Sequence, residues 1–370
     1  MLNLKGMNTL YNHIPPPTQF RGFVMLKLKL LALLCLFISS TSFANPIIGM
    51  PTGSTGGTYY PMGSDIAKLA ARKGLRIQVK SSLGSLANIR RMSSSENAGI
   101  SIVQSDVIEF LSNTPSRINK SVLKDLRLIF PLYNEEVHLL AKGGIKTISD
   151  LENKRVVVGK LGSGTFVTAN NILNKLGMTV AQVHDLSPKD AYQDLLLGKV
   201  DAVFFVGGKP ISYIKGLLEV KVDEALRKYA EDIHLVPLDD ERLYSSYAPA
   251  TISPSDYVTS DGLFRLTDVD VSTVAVRAVL VGYDFSKNNS AYSQMRCKQM
   301  DQLNTIVRDN LELLASGGVD GKEFHPKWDH VDLDQTVDLP KSDCITTGVG
   351  RKIDEAKEID CYLQTGRSCK

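Results

Sequence analysis

The sequence predicts an α/β protein of two similar lobes, with a hinge and a central ligand cleft. Short apolar strands alternate with amphipathic helices, which is typical of parallel sheets. Two loops rich in glycine and hydroxyl residues, at 53–61 and 159–165, each follow a strand and precede a helix. Ligands of such sheets gather beyond the carboxyl ends of strands, and helix starts offer unpaired N–H groups to anions. Two such loops predict two lobes gripping one small anionic molecule.

The first 44 residues predict export and are excluded from the fold. Residues 25–29 form a basic region and residues 30–38 a short apolar core, after which Ser42-Phe43-Ala44 resembles a signal-peptidase site. About nine apolar residues are fewer than the roughly 20 that span a bilayer. We therefore assign 1–44 to an N-terminal extension with a signal peptide cleaved before Asn45, and expect a periplasmic protein. An uncleaved membrane anchor is the alternative.

The charge of the chain changes when this segment is removed. The sequence has 43 Lys and Arg against 40 Asp and Glu, and four of the basic residues lie in the first 44 positions. The mature chain therefore has 39 basic and 40 acidic residues, a formal charge of −1. Because no basic stripe is present, nucleic acid is not an expected partner.

The four cysteines of the mature chain lie in its last quarter, at positions 297, 344, 361 and 369. In an exported protein they indicate two disulfides, and the sequence leaves all three pairings open. After about His325 the chain becomes polar and irregular. We therefore expect the cysteines to be the chief organisers of a C-terminal extension over 326–370.

The order of strands and helices predicts where the lobes begin and end. We assign 45–141 plus 271–325 to the first lobe and 142–270 to the second. A strand at 271–281 and a helix at 293–315 lead the chain back to the first lobe. This return creates two crossings between the lobes, and hence a hinge.

The two loops supply the first candidate ligand contacts. Backbone N–H groups and the Thr58 hydroxyl are expected to bind a carboxylate, while Tyr59 packs against the carbon chain. The alternative is helix capping alone, which needs only one of these residues. The same reasoning assigns a contact from the second lobe to the second loop. The candidates are Gly56, Gly57, Thr58 and Tyr59 in the first loop, and Ser163, Gly164 and Thr165 in the second.

Further candidates lie where strands feed helices. Gln104 and Ser105 precede Asp106, which is expected to accept hydrogen bonds from a ligand ammonium; the alternative is a first-turn acid that stabilises its own helix. Asn88 is a candidate amide contact. Phe205 is expected to line the cleft, although most Phe residues in apolar strands are core, and Lys209 is a weaker candidate for a ligand carboxylate.

Metal, cofactor and catalytic motifs are not found in the sequence. His325 and His330 are five residues apart, but Pro326 breaks a regular helical face between them. Thr165 stands where a Walker loop needs lysine, and no GxSxG nucleophile elbow occurs. We therefore expect no metal, no cofactor and no catalytic residues. The alternatives are an exported enzyme on the same scaffold, and an orphan receptor or adhesin with no transporter role.

Taken together, the motifs resemble those of the TAXI branch of the solute-binding proteins of TRAP transporters. The resemblance covers residues 47–314 and implies a type II periplasmic-binding-protein fold. It also implies a monomeric receptor that delivers glutamate, glutamine or a 2-oxoglutarate-like acid to the membrane subunits of a TRAP transporter. Residues 247–270 and the tail from about Asp332 depart from the family pattern. The matching segments are GSTGGTYYP at 53–61, Gln104-Ser105-Asp106, Val137-His138-Leu139, GSGT at 162–165 and DAVFFVGG at 201–208.

Overall fold

The computed structural model describes residues 46–94 and 98–346. The predicted signal segment and its cleavage site, together with Cys361 and Cys369, lie outside the described residues. Within these ranges no helix combines the length and the apolar character needed to cross a membrane.

The first half of the chain alternates strands and helices, as predicted. Its helices present apolar residues at helical spacing to the sheet; α1, for example, buries Met62, Ile66 and Leu69. The elements are β1 (Ile48–Pro51), α1 (Tyr59–Arg72), β2 (Ile77–Lys80), α2 (Ser85–Ser93), β3 (Ile100–Gln104), α3 (Ser105–Asn113), α4 (Arg117–Asp125) and the long strand β4 (Leu126–Lys142).

The second half repeats the alternation and then returns. The elements are β5 (Arg155–Val157), α5 (Gly164–Leu176), β6 (Ala181–Val183), α6 (Pro188–Leu196), β7 (Ala202–Gly207), α7 (Ser212–Val222), β8 (Ile233–Leu235), β9 (Ala248–Ile252), β10 (Val271–Tyr283), α8 (Ala291–Asp309) and α9 (Leu311–Ala315). Short 3-10 turns lie at Ile148–Leu151, Arg227–Tyr229, Glu241–Ser245 and Pro326–His330.

Two long antiparallel strands, β4 and β10, connect the lobes. The main sheet has the order β3-β10-β4-β7-β5-β6, with β8 added on β4 and β9 on β10. From Leu126 to Glu136, β4 pairs with β10, and from Glu136 to Ala141 it pairs with β7. The partner of β4 therefore changes inside the strand, near Glu136. The proposed lobe bounds after Ala141 and before Val271 fall instead at strand ends.

Each lobe has its own apolar core around its part of the sheet. We call β1–β3, α1–α4, α8 and α9, with the β10-paired part of β4, the first lobe; β5–β9 and α5–α7 form the second lobe. In the first lobe α8 packs Met300, Leu303 and Val307 against the side chains of α1. Two lobes joined by two crossing strands are the predicted type II periplasmic-binding-protein fold, which is confirmed.

The segment after α9 packs into the first lobe, which corrects one expectation. Trp328 is fully buried, and its indole N–H donates to Asp65 at 3.0 Å. Lys327 is buried too, with its ammonium 2.7 Å from the Glu136 carboxylate of β4. Further on, the Leu128 N–H of β4 donates to Pro340 O at 2.8 Å. The cysteines are therefore not the chief organisers of residues 326–346, because buried side chains and a β-bridge between Leu128 and Lys341 hold this segment.

One of the predicted disulfides lies within the described residues. Cys297 of α8 is bonded to Cys344, with the two Cα atoms 4.9 Å apart. Cys344 is itself buried in the core of the first lobe. This bond occurs in one of the three pairings that the sequence left open.

Candidate functional site

A cavity of about 210 Å³ lies between the two lobes. The starts of α1 and α5 line it from opposite lobes, together with the ends of β3, β5 and β7. Ligand pockets for drug-sized molecules have volumes of roughly 300–1,000 Å³. The cavity is thus of a size for a small metabolite.

Most of the predicted site residues meet at this cavity. These residues come from the starts of α1 and α5, from the end of β3 and from Phe205 of β7. Gly57, Thr58, Tyr59, Gln104, Ser163, Gly164, Thr165 and Phe205 line it, whereas Gly56, Asn88, Ser105 and Asp106 do not.

The start of α1 is left open toward the cavity. Its N-cap residue, Thr58, makes no side-chain capping bond. The Thr58 hydroxyl donates instead to Gly208 O, in the loop after β7, at 2.7 Å. This corrects the expectation that the hydroxyl donates to the ligand, because its proton joins the lobes. The first-turn N–H groups, which have no partner within a helix, remain the anion-binding feature here.

The start of α5 differs because its hydroxyls already have structural partners. Ser163 caps its own helix by accepting from Phe166 N at 3.1 Å. Thr165 accepts from Val206 N of β7 at 3.2 Å. A hydroxyl that accepts one hydrogen bond still has a proton to donate. Both side chains can therefore support the loop and contact a ligand.

Two predicted glycines allow the lobes to come together. A Cβ added to Gly164 would lie 1.7 Å from Gln104 Oε1, and one added to Gly56 would lie 2.5 Å from the Tyr213 ring. Gly56 therefore acts by admitting the Tyr213 ring rather than by lining the cavity. Nearby, Ala87 N of α2 donates to Gly162 O of the second loop at 2.9 Å.

A buried carboxylate that the sequence analysis missed lines the cavity. Glu135 of β4 is 2% exposed and accepts a hydrogen bond from the Tyr59 hydroxyl at 2.7 Å. Burial raises the pKa of Glu135 to about 8, although the bonds from Tyr59 and Gln104 oppose this rise. The sequence did contain a signal for Glu135. This acidic residue lies inside an apolar strand, two residues before the quoted Val137-His138-Leu139 segment.

The polar surroundings of Glu135 also include an acceptor without a hydrogen-bond donor, on Gln104. Gln104 is 2% exposed, and its Oε1 is buried with no hydrogen-bond partner among the described residues. Gln104 N donates to Ser85 Oγ at 3.1 Å, and Ser85 Oγ lies 3.3 Å from the Tyr59 hydroxyl. The backbone of Gln104 is thus held at the cavity, its side-chain amide bonds to Glu135, and its Oε1 packs against Gly164.

One cationic side chain lines the cavity on the side of the second lobe. Lys160 follows β5 and, within the described part of the chain, has no ion-pair partner. Lys209, the other lysine considered, is not available to a ligand. Its ammonium lies 2.6 Å from Asp256 Oδ2 and 2.7 Å from Thr251 O.

The structure places the remaining candidates away from the cavity. The Asn88 amide donates to Thr52 O at 2.5 Å and to Ile102 O at 2.9 Å, so it ties α2 to the sheet. Ser105 and Asp106 line a separate groove of about 650 Å³. Asp106 accepts hydrogen bonds from Thr168 at 2.7 Å and from Tyr247 at 3.2 Å, both in the second lobe.

Metal ligands are not clustered in the part of the chain that the structure describes, where no group of three or more His, Cys, Asp or Glu could hold an ion. His138 is buried between Glu136 O and the Tyr257 hydroxyl, at 3.0 and 2.8 Å. Burial lowers the pKa of His138 to about 4.

Residues 50–306 match the model of the NMT1-like family. Among solved structures, the substrate-binding protein of an amino acid ABC transporter is 17% identical, covers 76% of this chain and 99% of its own, and has a TM-score of 0.38. The GluR0 ligand-binding core in complex with L-glutamate is 15% identical, covers 76% and 96%, and has a TM-score of 0.41. An L-cystine ABC transporter protein from Listeria monocytogenes is 13% identical, covers 76% and 98%, and has a TM-score of 0.40. Because these identities are below 20% and the TM-scores are below 0.5, the three structures assign no ligand or partner to this chain.

Proposed function

Because this chain belongs to the NMT1-like family and encloses a cavity between two lobes, we propose that it is an exported, periplasmic solute-binding receptor. The observation that carries the proposal is that the starts of α1 and α5, from different lobes, line the same cavity. A ligand shifts an equilibrium between open and closed forms only by binding one form better. Contacts divided between the lobes give the closed form that advantage.

We further propose that the solute is a small organic acid or amino acid of glutamate-like character. The uncapped start of α1 favours a negatively charged group in the cavity, and so does Lys160, which has no ion-pair partner among the described residues. The proposed contacts are the cavity-lining members of the predicted set, with Glu135 and Lys160 added. Gly56, Asn88, Ser105 and Asp106 are left out because they do not line the cavity.

The proposed partner is the membrane subunits of a TRAP transporter, as in the TAXI branch. The order and spacing of the five quoted segments, from 53–61 to 201–208, support this assignment. The first proposed lobe consists of residues 45–141 and 271–325, and the second of residues 142–270. The proposed receptor is a monomer, and its own closed form is the one that recognises the transporter.

An enzyme on the same scaffold is the alternative that the cavity favours least. No histidine or cysteine among the described residues lines it. Its hydroxyls therefore have no imidazole beside them to act as a general base. Turnover of a bound acid would reverse this assignment.

The proposal is tested by a thermal-shift screen of the mature protein against amino acids and dicarboxylates, followed by calorimetry on Gly57→Asp. A solute present at 100 times its Kd should stabilise the fold by about 2.7 kcal/mol. A carboxylate at Gly57 would lie against the proposed anion site, so we expect binding to weaken at least a hundredfold. The new Cβ would lie 3.2 Å from Ser54 Oγ, a side chain that can rotate away.

Gly57→Asn is the matched control, because it adds the same bulk without the charge. We expect it to retain more affinity than Gly57→Asp, with similar melting temperatures for both variants. Unchanged affinity in Gly57→Asp would remove the first loop from the site. Failure of every screened metabolite to raise the melting temperature would favour the orphan receptor or adhesin instead.

A further inference from the structure

The lining of the cavity combines hydrogen-bond donors with buried acceptors. The uncapped start of α1 and Lys160 offer donors and positive charge. Glu135 and the Gln104 oxygen offer acceptors. Tyr59 belongs to both groups, because its backbone begins α1 while its hydroxyl donates to Glu135.

The Gln104 oxygen gives the clearest indication of what these acceptors bind. A buried polar atom with no partner costs about 1–3 kcal/mol. The amide cannot turn away easily, because Gly164 packs so close that a single added carbon would overlap Oε1. The cost is recovered if the ligand itself brings an N–H donor to this oxygen.

Glu135 has accepting capacity beyond the bond from Tyr59. An ionised carboxylate has about four lone-pair sites, and the Tyr59 hydroxyl and the Gln104 amide use two of them. A primary ammonium has three donors and a positive charge. It can therefore satisfy the Gln104 oxygen and the Glu135 carboxylate together, whereas a second carboxylate or a keto group brings no donor to the Gln104 oxygen.

We propose that Glu135 and Gln104 bind a primary ammonium group, so that the cavity accepts amino acids and rejects the corresponding acids that lack it. This inference rests on the proposed function, since it concerns the solute of the same cavity. It divides the glutamate-like class, which contains both amino acids and 2-oxo acids.

The electrostatic surroundings of Glu135 make binding depend on pH. Burial raises the pKa of its carboxyl group to about 8, so the group is mostly protonated at pH 7 when the cavity is empty. Pairing with an ammonium requires the carboxylate, and the displaced proton goes to solvent. The charged or titratable groups that act on Glu135 are Tyr59, Tyr133, Asp106, Glu136 and Lys327.

The experiment screens the common amino acids by calorimetry on the mature chain and compares the tightest binder that has a primary amine with its matching 2-oxo acid. We expect the best amino acid to bind at least a hundredfold more tightly than its 2-oxo acid at pH 7.5. We also expect its affinity to rise as the pH rises from 6 to 8, by up to tenfold per pH unit. Equal or tighter binding of the 2-oxo acid would overturn this inference and leave the proposed function standing. If no compound of either class binds, both fail.

Glu135→Gln gives a second, independent readout. The variant keeps the shape of the side chain but removes its charge and its titration. We expect it to lose the pH dependence and at least tenfold of the preference for the amino acid. Glu109→Gln, on the exposed side of α3, is the control and should change neither. A wild-type pH profile that stays flat from 6 to 8 contradicts the role of Glu135 even if the variant does not fold.

Discussion

At the scale of single residues, Asp106 and Glu135 are two buried carboxylates whose partners separate their roles. Asp106 accepts hydrogen bonds from Thr168 and Tyr247 across the lobe interface. Glu135 accepts from Tyr59 of its own lobe and faces the cavity. The sequence placed Asp106 in the ligand site because it follows a strand end. Strand order gives that location, but the direction of the side chain depends on Thr168, 62 residues away.

The interface role of Asp106 predicts a pH-dependent effect of Asp106→Asn on stability. Burial raises the pKa of Asp106 from 3.8 to about 6, so the folded chain holds this proton more tightly than the unfolded chain. Ionisation of Asp106 therefore lowers the free energy of unfolding as the pH rises from about 4 to 6. Asparagine keeps an acceptor for Thr168 and Tyr247 without the charge.

We expect Asp106→Asn to exceed the wild type by up to about 3 kcal/mol in the free energy of unfolding at pH 8, which corresponds to roughly two pKa units. The difference should fall below about 1 kcal/mol at pH 4, where the folded wild type is mostly neutral at this position. Urea unfolding at the two pH values measures it. A difference that is the same at both would show that ionisation of Asp106 plays no part.

At the scale of elements, α8 is the structural link between the first lobe and the segment that follows α9. Sequence analysis expected one helix over 293–315, but α8 ends at Asp309 and α9 begins at Leu311. The Asn310 side chain donates to Ile306 O at 2.8 Å, which satisfies a carbonyl at the end of α8. Beyond this break, Cys344 returns to Cys297 on the same helix. The disulfide therefore closes a loop that contains the break, α9 and the buried Trp328.

Loss of this disulfide should destabilise the fold substantially. The bond closes a loop with a sequence separation of 47, and the chain-entropy relation assigns about 4 kcal/mol to a loop of that length. We expect Cys297→Ala and Cys344→Ala to lower the free energy of unfolding by similar amounts, because either change removes the bond. The double variant should be no less stable than either single variant, because each single change already removes the bond. Equal urea midpoints for oxidised wild type and both variants would contradict the structural role of this bond.

At the scale of the whole molecule, contacts between the lobes surround the cavity. Thr58 joins the loop after β7, Ala87 joins the second glycine loop, and Asp106 joins α5. The lobes are therefore in contact on more than one side, as a closed receptor requires. The strands β4 and β10 pass between them and supply the two crossings around which opening would occur.

Gly164→Ala should impair closure without disturbing either lobe. The added methyl group requires the lobes to stay apart or the Gln104 amide to leave its place, and both outcomes weaken binding. We expect at least a tenfold loss of affinity by calorimetry at an unchanged fold by circular dichroism. Gly216→Ala in α7 is the matched control, since its Cβ would have only an ordinary contact, 3.8 Å from the Tyr192 hydroxyl. Equal affinity in the two variants would argue against the close approach at Gly164.

Local sequence patterns predicted the alternating elements, the two crossings and the meeting of the two glycine loops. These features follow from strand and helix periodicity and from the rule that ligands gather at strand ends. The sequence did not reveal that Glu135 faces the cavity, that Asn88 ties α2 to the sheet, or that Trp328 enters the core. Each of these depends on side-chain packing between residues far apart in the chain, which local periodicity does not encode.

Small-angle X-ray scattering of the mature protein, with and without the solute found by the thermal-shift screen, tests the central claim most directly. If one solute is held by both lobes, the saturated protein should have a smaller radius of gyration than the free protein. Its scattering curve should also match the curve expected for the closed arrangement, in which the lobes make the contacts described above. Saturated and free chains with the same radius of gyration, both matching an open arrangement, would contradict the account.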